Sequence, residues 1–107
     1  MKNPFLKPKV KKESSIERYL VCQVERFGGL IRKVTFPGHS GAPDRVVLFP
    51  GVIVWVELKR ATGVVSAMQN REHARLRAMG QRVEVPLTEQ AVDRLVEELY
   101  MKSRKVT

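Results

Sequence analysis

Residues 41–60 read GAPDRVVLFPGVIVWVELKR, and the way this stretch pairs with itself decides the fold. Two β-branched runs, residues 45–49 and 52–59, flank the turn dipeptide Pro50-Gly51, so an antiparallel hairpin is expected. If Phe49 faces Val52 across a two-residue turn, the same register carried outward sets Asp44 opposite Glu57. Opposed residues of an antiparallel pair point to one face with Cβ atoms about 5 Å apart, so two carboxylates converge. Alternation brings Lys59 to the face of Glu57 and turns Leu58 away from it. Pro-Gly favours a type II turn, which fits a two-residue hairpin poorly and leaves a wider loop open. A four-residue loop joining Leu48 and Ile53 keeps the register, whereas a three-residue loop puts the two acids on opposite faces.

Outward from the hairpin, the run Val52, Ile53, Val54, Trp55, Val56 is apolar at every position, as expected of a central strand covered on both faces. Upstream, Ser14 and Glu17 have the spacing of a capping box, and Ile16, Leu20, Val24 and Phe27 follow at helical intervals until Gly28-Gly29. Residues 30–36 are rich in strand formers, and 37–43 hold the glycines and prolines of a loop. Downstream, residues 61–65 read as a loop, Ser66 and Gln69 repeat the capping-box spacing at the start of a helix, and Gly80 closes that helix. Residues 82–85 form a short strand, and Thr88 caps a last helix with Val92, Leu95, Val96 and Leu99 on its apolar face. The order αβββαβα predicts an α/β fold, a mixed β-sheet flanked by helices. In it the third strand, second helix and fourth strand form a right-handed βαβ unit.

A chain of 107 residues, 43% hydrophobic and 29% charged, is sized for one core. The expected organisation is a basic arm over 1–12, one domain over 13–101 and a basic tail over 102–107. No apolar run reaches the roughly 20 residues of a membrane span, and the first residues lack a signal-peptide core, so a cytoplasmic location is expected. Cys22 is alone, with only His39 and His73 beside it in composition, which leaves any metal to carboxylates and favours magnesium or manganese. His73 is expected on a helix surface. Of the net charge of +9, eight basic residues lie in the two ends, and the body balances twelve cations against eleven acids. Such ends draw nucleic acid in a salt-sensitive way, or serve solubility alone.

Two adjacent carboxylates repel, which favours a shared proton or capture of a divalent cation. A cation there is placed to hold a phosphate oxygen, and the Lys59 ammonium beside it to steady the attacking water or the charge that grows during phosphodiester hydrolysis. The competing reading makes Asp44 a turn cap after Pro43 and Glu57 an ordinary partner of Lys59. Against it stands the cost of ending a doubly buried strand in charge without a site to serve.

Taken together, SGAPDRVVL (40–48), VIVWVELKR (52–60), the helix start at Ser66 to Gln69 and RAMGQRVEV (77–85) resemble the PD-(D/E)xK nuclease superfamily, and specifically its VRR-NUC branch, over residues 14–96. The resemblance implies a restriction-endonuclease-like αβββαβ core with a C-terminal helix. It implies a Mg2+- or Mn2+-dependent endodeoxyribonuclease in which Asp44, Glu57 and the backbone carbonyl of Leu58 bind the cation and Lys59 assists the nucleophile. Glu17, in a context ERYLV similar to the acidic motif of archaeal Holliday-junction resolvases, is implied to bind metal or orient water, with Glu13 as its stand-in. Gln69 is implied to position the phosphate or its attacking water. For Glu17 and Gln69 helix capping is the alternative. Arg45, Arg60 and Lys33 are candidate phosphate contacts and His39 a candidate DNA contact, each with a solvated surface role as the alternative. Trp55 shares the face of Glu57 by parity, as core or as a base-stacking platform. The implied substrate is branched or structured DNA such as Holliday junctions or flaps, the implied assembly a homodimer or higher homo-oligomer, a two-fold dimer presenting two sites, and the implied source a phage or mobile element. Two other readings compete: a non-catalytic basic nucleic-acid-binding module, and an RNA-binding component, which gives Asp44, Glu57 and Lys59 no task.

Overall fold

A computed structural model describes residues 13–39, 41–58 and 65–106. The chain runs α1 (Glu13–Arg26), β1 (Leu30–Lys33), β2 (Arg45–Phe49), β3 (Val52–Val56), α2 (Ala67–Ala78), β4 (Arg82–Glu84) and α3 (Glu89–Val106), the element order expected from the sequence. One sheet of order β1-β2-β3-β4 holds all four strands, antiparallel except for the β3/β4 pair, which is parallel. The fold is therefore α/β with a mixed sheet.

The hairpin has the tight register. Phe49 pairs with Val52 and Arg45 with Val56, with only Pro50 and Gly51 between the strands. Gly51 takes φ +72°, the left-handed value that the third position of a type II turn demands and that glycine meets without strain. A turn of poorer intrinsic twist is accepted because five cross-strand pairs and a buried face outweigh it.

Parity sorts the sheet into two unequal faces. Ile31, Val47, Phe49, Val54 and Val56 are buried with Leu58 against Ile16, Leu20 and Val24 of α1 and Val92, Leu95, Val96 and Leu99 of α3. That layer is the core, and the helical spacing of its contributors explains why α1 and α3 form where they do. On the opposite face α2 packs on β4, and the Arg77 guanidinium donates to the Val83 carbonyl at 2.8 Å. Because α2 reaches only that side, the cross-strand row Leu30, Leu48, Ile53 lies beyond it, and Ile53 is 52% exposed. β3 is thus covered on both faces only at its β4 end, a correction to the double burial expected of the whole run.

Three boundaries also move. β1 stops at Lys33, three residues short of Phe36, because Val34 N–H turns to the Asp44 carbonyl (3.0 Å) and Phe36 packs its ring edge on Trp55. α1 is already helical at Glu13, the first described residue, so Ser14 lies inside the helix and not at its cap. α3 continues to Val106 with Ser103 buried, so residues 102–106 extend a packed helix where a tail was expected. The arm over 1–12 lies outside the described residues. The expected caps of α2 and α3 are present: Ser66 and Gln69 form a reciprocal capping box, and Thr88 Oγ1 accepts from Ala91 N–H at 3.0 Å.

α3 is locked to the far edge of the sheet by charge. Arg82 of β4 grips both oxygens of Glu98 (2.6 and 2.9 Å) and also reaches Glu84, while Lys102 lies 3.3 Å from Glu98. The Arg82 guanidinium, joined by Lys102, holds the Glu98 carboxyl down to about 2. A carboxyl lowered on folding adds stability above its unfolded value of about 4.5 and loses it as pH falls toward about 2. Glu98 is half-exposed, so the pair is worth no more than about 1 kcal/mol. Glu98→Gln should therefore cost up to about that much in urea unfolding near neutral pH, and the difference from the parent should shrink as pH falls from about 4.5 through about 2.

Candidate active site

Asp44 and Glu57 each stand one residue beyond the last β2/β3 pair, Arg45 with Val56. Each is fixed by its own backbone. The Asp44 carbonyl accepts from Val34 N–H at 3.0 Å and from the Arg45 guanidinium at 3.2 Å, and Glu57 N–H donates to the Glu84 carbonyl of β4 at 3.0 Å. The Asp44 carboxylate then crosses to the neighbouring strand and accepts from Leu58 N–H through Oδ2 at 3.1 Å. That bond joins the two acidic segments directly. Leu58 itself turns into the core, as parity requires.

Glu57 is only 2% exposed, and His73 of α2, 1% exposed, brings Nε2 to 3.8 Å from Glu57 Oε1. His73 is therefore not the surface residue expected from its sequence. Its helix, AMQNREHARLRA, has no apolar stripe, and Glu72 and His73 are its buried residues, so hydrophobic periodicity gave no signal that this face turns inward.

On the other side of the sheet, Glu17 of α1 forms an ion pair with Arg45, whose side chain is buried and also donates to the Asp44 carbonyl. Arg45 was expected to meet a phosphate. Successive residues of a strand point to opposite faces, so Arg45 must turn from Asp44 toward α1, where the Glu17 carboxylate compensates its buried charge. Glu17, expected at the metal, is engaged by that guanidinium. Among the described residues no group of three or more His, Cys, Asp or Glu side chains gathers in a way that would hold a metal ion. Two carboxylates are nonetheless a sufficient protein donor set for magnesium, which keeps several waters and is commonly held by one or two carboxylates plus substrate phosphate. The all-oxygen set of Asp44, Glu57 and the Leu58 carbonyl fits such a hard cation.

Gln69 does cap α2. Its Oε1 accepts from Ser66 N–H at 3.0 Å, and its own N–H donates to Ser66 Oγ at 3.1 Å. The loop before Asp44 docks on this helix end: Gly41 has φ +87°, and a Cβ there would lie 2.9 Å from the Met68 carbonyl and 3.0 Å from the Gln69 backbone. Trp55 is half-buried, donating Nε1–H to Gln81 Oε1 at 3.0 Å, which favours the core role. Lys33 and His39 are exposed at the same end of the sheet, after β1 and before Asp44. Lys59 and Arg60 lie outside the described residues.

No family model matches the sequence. A phage protein named "Putative nuclease p44", from Acyrthosiphon pisum secondary endosymbiont phage 1, is 45% identical over 73 residues, covering 67% of this chain and 78% of the relative. A solved structure described as a VRR_NUC domain superposes with a TM-score of 0.74 at 40% identity, over 81% of this chain and 96% of its own. The chain belongs to the VRR-NUC nuclease family. A likeness at this identity extends beyond fold. No helix among the described residues of this VRR-NUC chain is long and apolar enough to cross a membrane.

The docking of the loop on α2 can be tested at Gly41. Gly41→Ala imposes both a left-handed φ on an L side chain and a backbone clash, so urea unfolding should show a loss of roughly 1–3 kcal/mol. A loss below about 0.5 kcal/mol would mean that the loop is free to move off the helix.

Proposed function

We propose that this VRR-NUC chain is a Mg2+- or Mn2+-dependent DNA endonuclease that hydrolyses phosphodiester bonds, selective for branched or structured DNA such as Holliday junctions or flaps. The observation that supports the reading is that Asp44 and Glu57 each lie one residue past the last β2/β3 pair, with the two segments tied together by Leu58 N–H on Asp44 Oδ2. An acidic pair held this way by backbone bonds is costly for a fold and useful for a polyanionic substrate only if a cation mediates between them.

Asp44, Glu57 and the Leu58 carbonyl would hold the cation. When bound, a divalent ion supplies Lewis acidity toward a phosphoryl oxygen and lowers the pKa of the attacking water. Lys59 assists that water or neutralises charge growing on the phosphate. Gln69 uses Oε1 for its helix cap, which leaves the amide nitrogen as the donor for a phosphate oxygen. Glu17 contributes to metal or water only by exchanging its Arg45 partner, and otherwise neutralises that buried cation. Lys33, His39 and Arg60 supply backbone contacts, and the basic ends add salt-sensitive attraction. The working assembly is a homodimer, whose two sites suit a two-fold junction.

The test incubates the purified chain with a four-way junction, a flap and a linear duplex, with and without magnesium or manganese. Metal-dependent cutting of the branched substrates is expected, with Asp44→Asn, Glu57→Gln and Lys59→Met each reducing the rate at least 100-fold. Cleavage by Asp44→Asn or Glu57→Gln at the parent rate would overturn the assignment. Intact DNA with either metal, bound in a steeply salt-dependent way, would favour a non-catalytic binding module.

A further inference from the structure

A helix that buries a glutamate and a histidine in place of leucines requires a reason beyond packing. In α2 the buried pair is Glu72 and His73. Glu72 is answered on its own helix, where Oε1 accepts from the Arg75 guanidinium at 3.2 Å. His73 is directed off its helix, with Nε2 at 3.8 Å from Oε1 of Glu57, on a strand end that reached the same place by a different route. Both residues are almost wholly removed from water, so the interaction between them is scarcely screened.

Glu57 has its backbone fixed by β4, but a glutamate side chain keeps three torsions, and a backbone bond leaves these undecided. Asp44, with one torsion fewer, is steered by Leu58 N–H. The Glu57 carboxylate shares a buried site with His73 of α2. The imidazole is placed to restrain those torsions, and a shift of less than about 1 Å brings the 3.8 Å contact to hydrogen-bond length. α2 is well suited to hold it steady, since the capping box fixes its first turn, one turn before His73, and Arg77 ties its last turn to β4.

We propose that His73 is a positioning residue for Glu57: its Nε2–H engages Oε1 and sets the carboxylate's orientation, so that the acid meets a divalent cation pre-aligned. The inference rests on the metal-binding reading of Asp44 and Glu57. Groups that orient a ligating carboxylate typically contribute 10- to 100-fold in metal affinity. His73 touches neither metal nor DNA in this scheme and acts only through Glu57. It could not be found from hydrophobic pattern, because a single polar residue on a helix without an apolar stripe gives no indication of which way it faces.

Manganese binding to the full-length chain, without DNA, reads this directly by titration calorimetry or by loss of the free Mn2+ spin-resonance signal. His73→Leu fills the space but cannot donate, and should weaken Mn2+ binding about 10- to 100-fold while melting close to the parent. His73→Gln, which returns an amide N–H near the Nε2 position, should recover most of the affinity, and the shorter His73→Asn should not. If the leucine variant fails to fold, the Gln and Asn variants carry the comparison, and equal affinity in those two overturns the proposal. Parent-like binding by a folded His73→Leu also overturns it, provided Glu57→Gln binds poorly. Parent-like binding by Glu57→Gln instead removes the metal-binding reading itself and this inference with it, so the two failures are told apart.

Discussion

The register of the β2/β3 hairpin is the constraint on which the rest of the molecule depends. A two-residue turn, five cross-strand pairs and one buried face agree on a single alignment, and that alignment decides which residues share a side at the far end of the ladder. The alignment that pairs Phe49 with Val52 also ends the ladder at Arg45 and Val56, one residue short of each acid. Neither acid lies within the strands; both occupy the first positions past them, where side chains still obey strand alternation but the backbone is available for other bonds. Those bonds come from β1's continuation at Val34 and from Glu84 of β4, so each flank of the sheet restrains one acid.

Charge is distributed around this alignment with the same economy. Arg45 must point away from Asp44 by alternation, which buries a guanidinium beneath α1, and Glu17 answers it. The first helix is thereby oriented over the sheet by an ion pair as well as by Ile16, Leu20 and Val24. A buried pair of this kind adds little net stability and penalises alternative packings strongly, because either partner left alone is costly. Tyr19 adds a second restraint on the same helix through its hydroxyl on Asp93 of α3 at 2.6 Å, and that carboxylate raises the tyrosine pKa.

Most of this architecture was legible in the sequence because its determinants are local. The hairpin register follows from two flanking runs and a dipeptide, the α2 cap from Ser66 and Gln69, and the core faces of α1 and α3 from apolar spacing. What was not legible depends on contacts between distant segments. Ile53 looks like a core residue until one knows that α2 covers only the β4 side, and His73 looks like a surface residue for want of apolar neighbours in its own helix. Arg45 looks like a phosphate contact because flanking an acid in sequence suggests proximity, whereas in a strand it assures the opposite direction. The family likeness pointed to the acids and could not report which partners the neighbouring residues had taken.

The extension of α3 to Val106 alters the meaning of the positive charge at that end. Ser103 is buried and Arg104 lies over the Tyr100 ring at 5.5 Å, so these last turns move with the body. Cations on a tethered thread average over direction and form a diffuse cloud. Cations on a rigid rod keep a compass bearing relative to the sheet, so an incoming polyanion is rotated by them as well as attracted, and arrives already oriented.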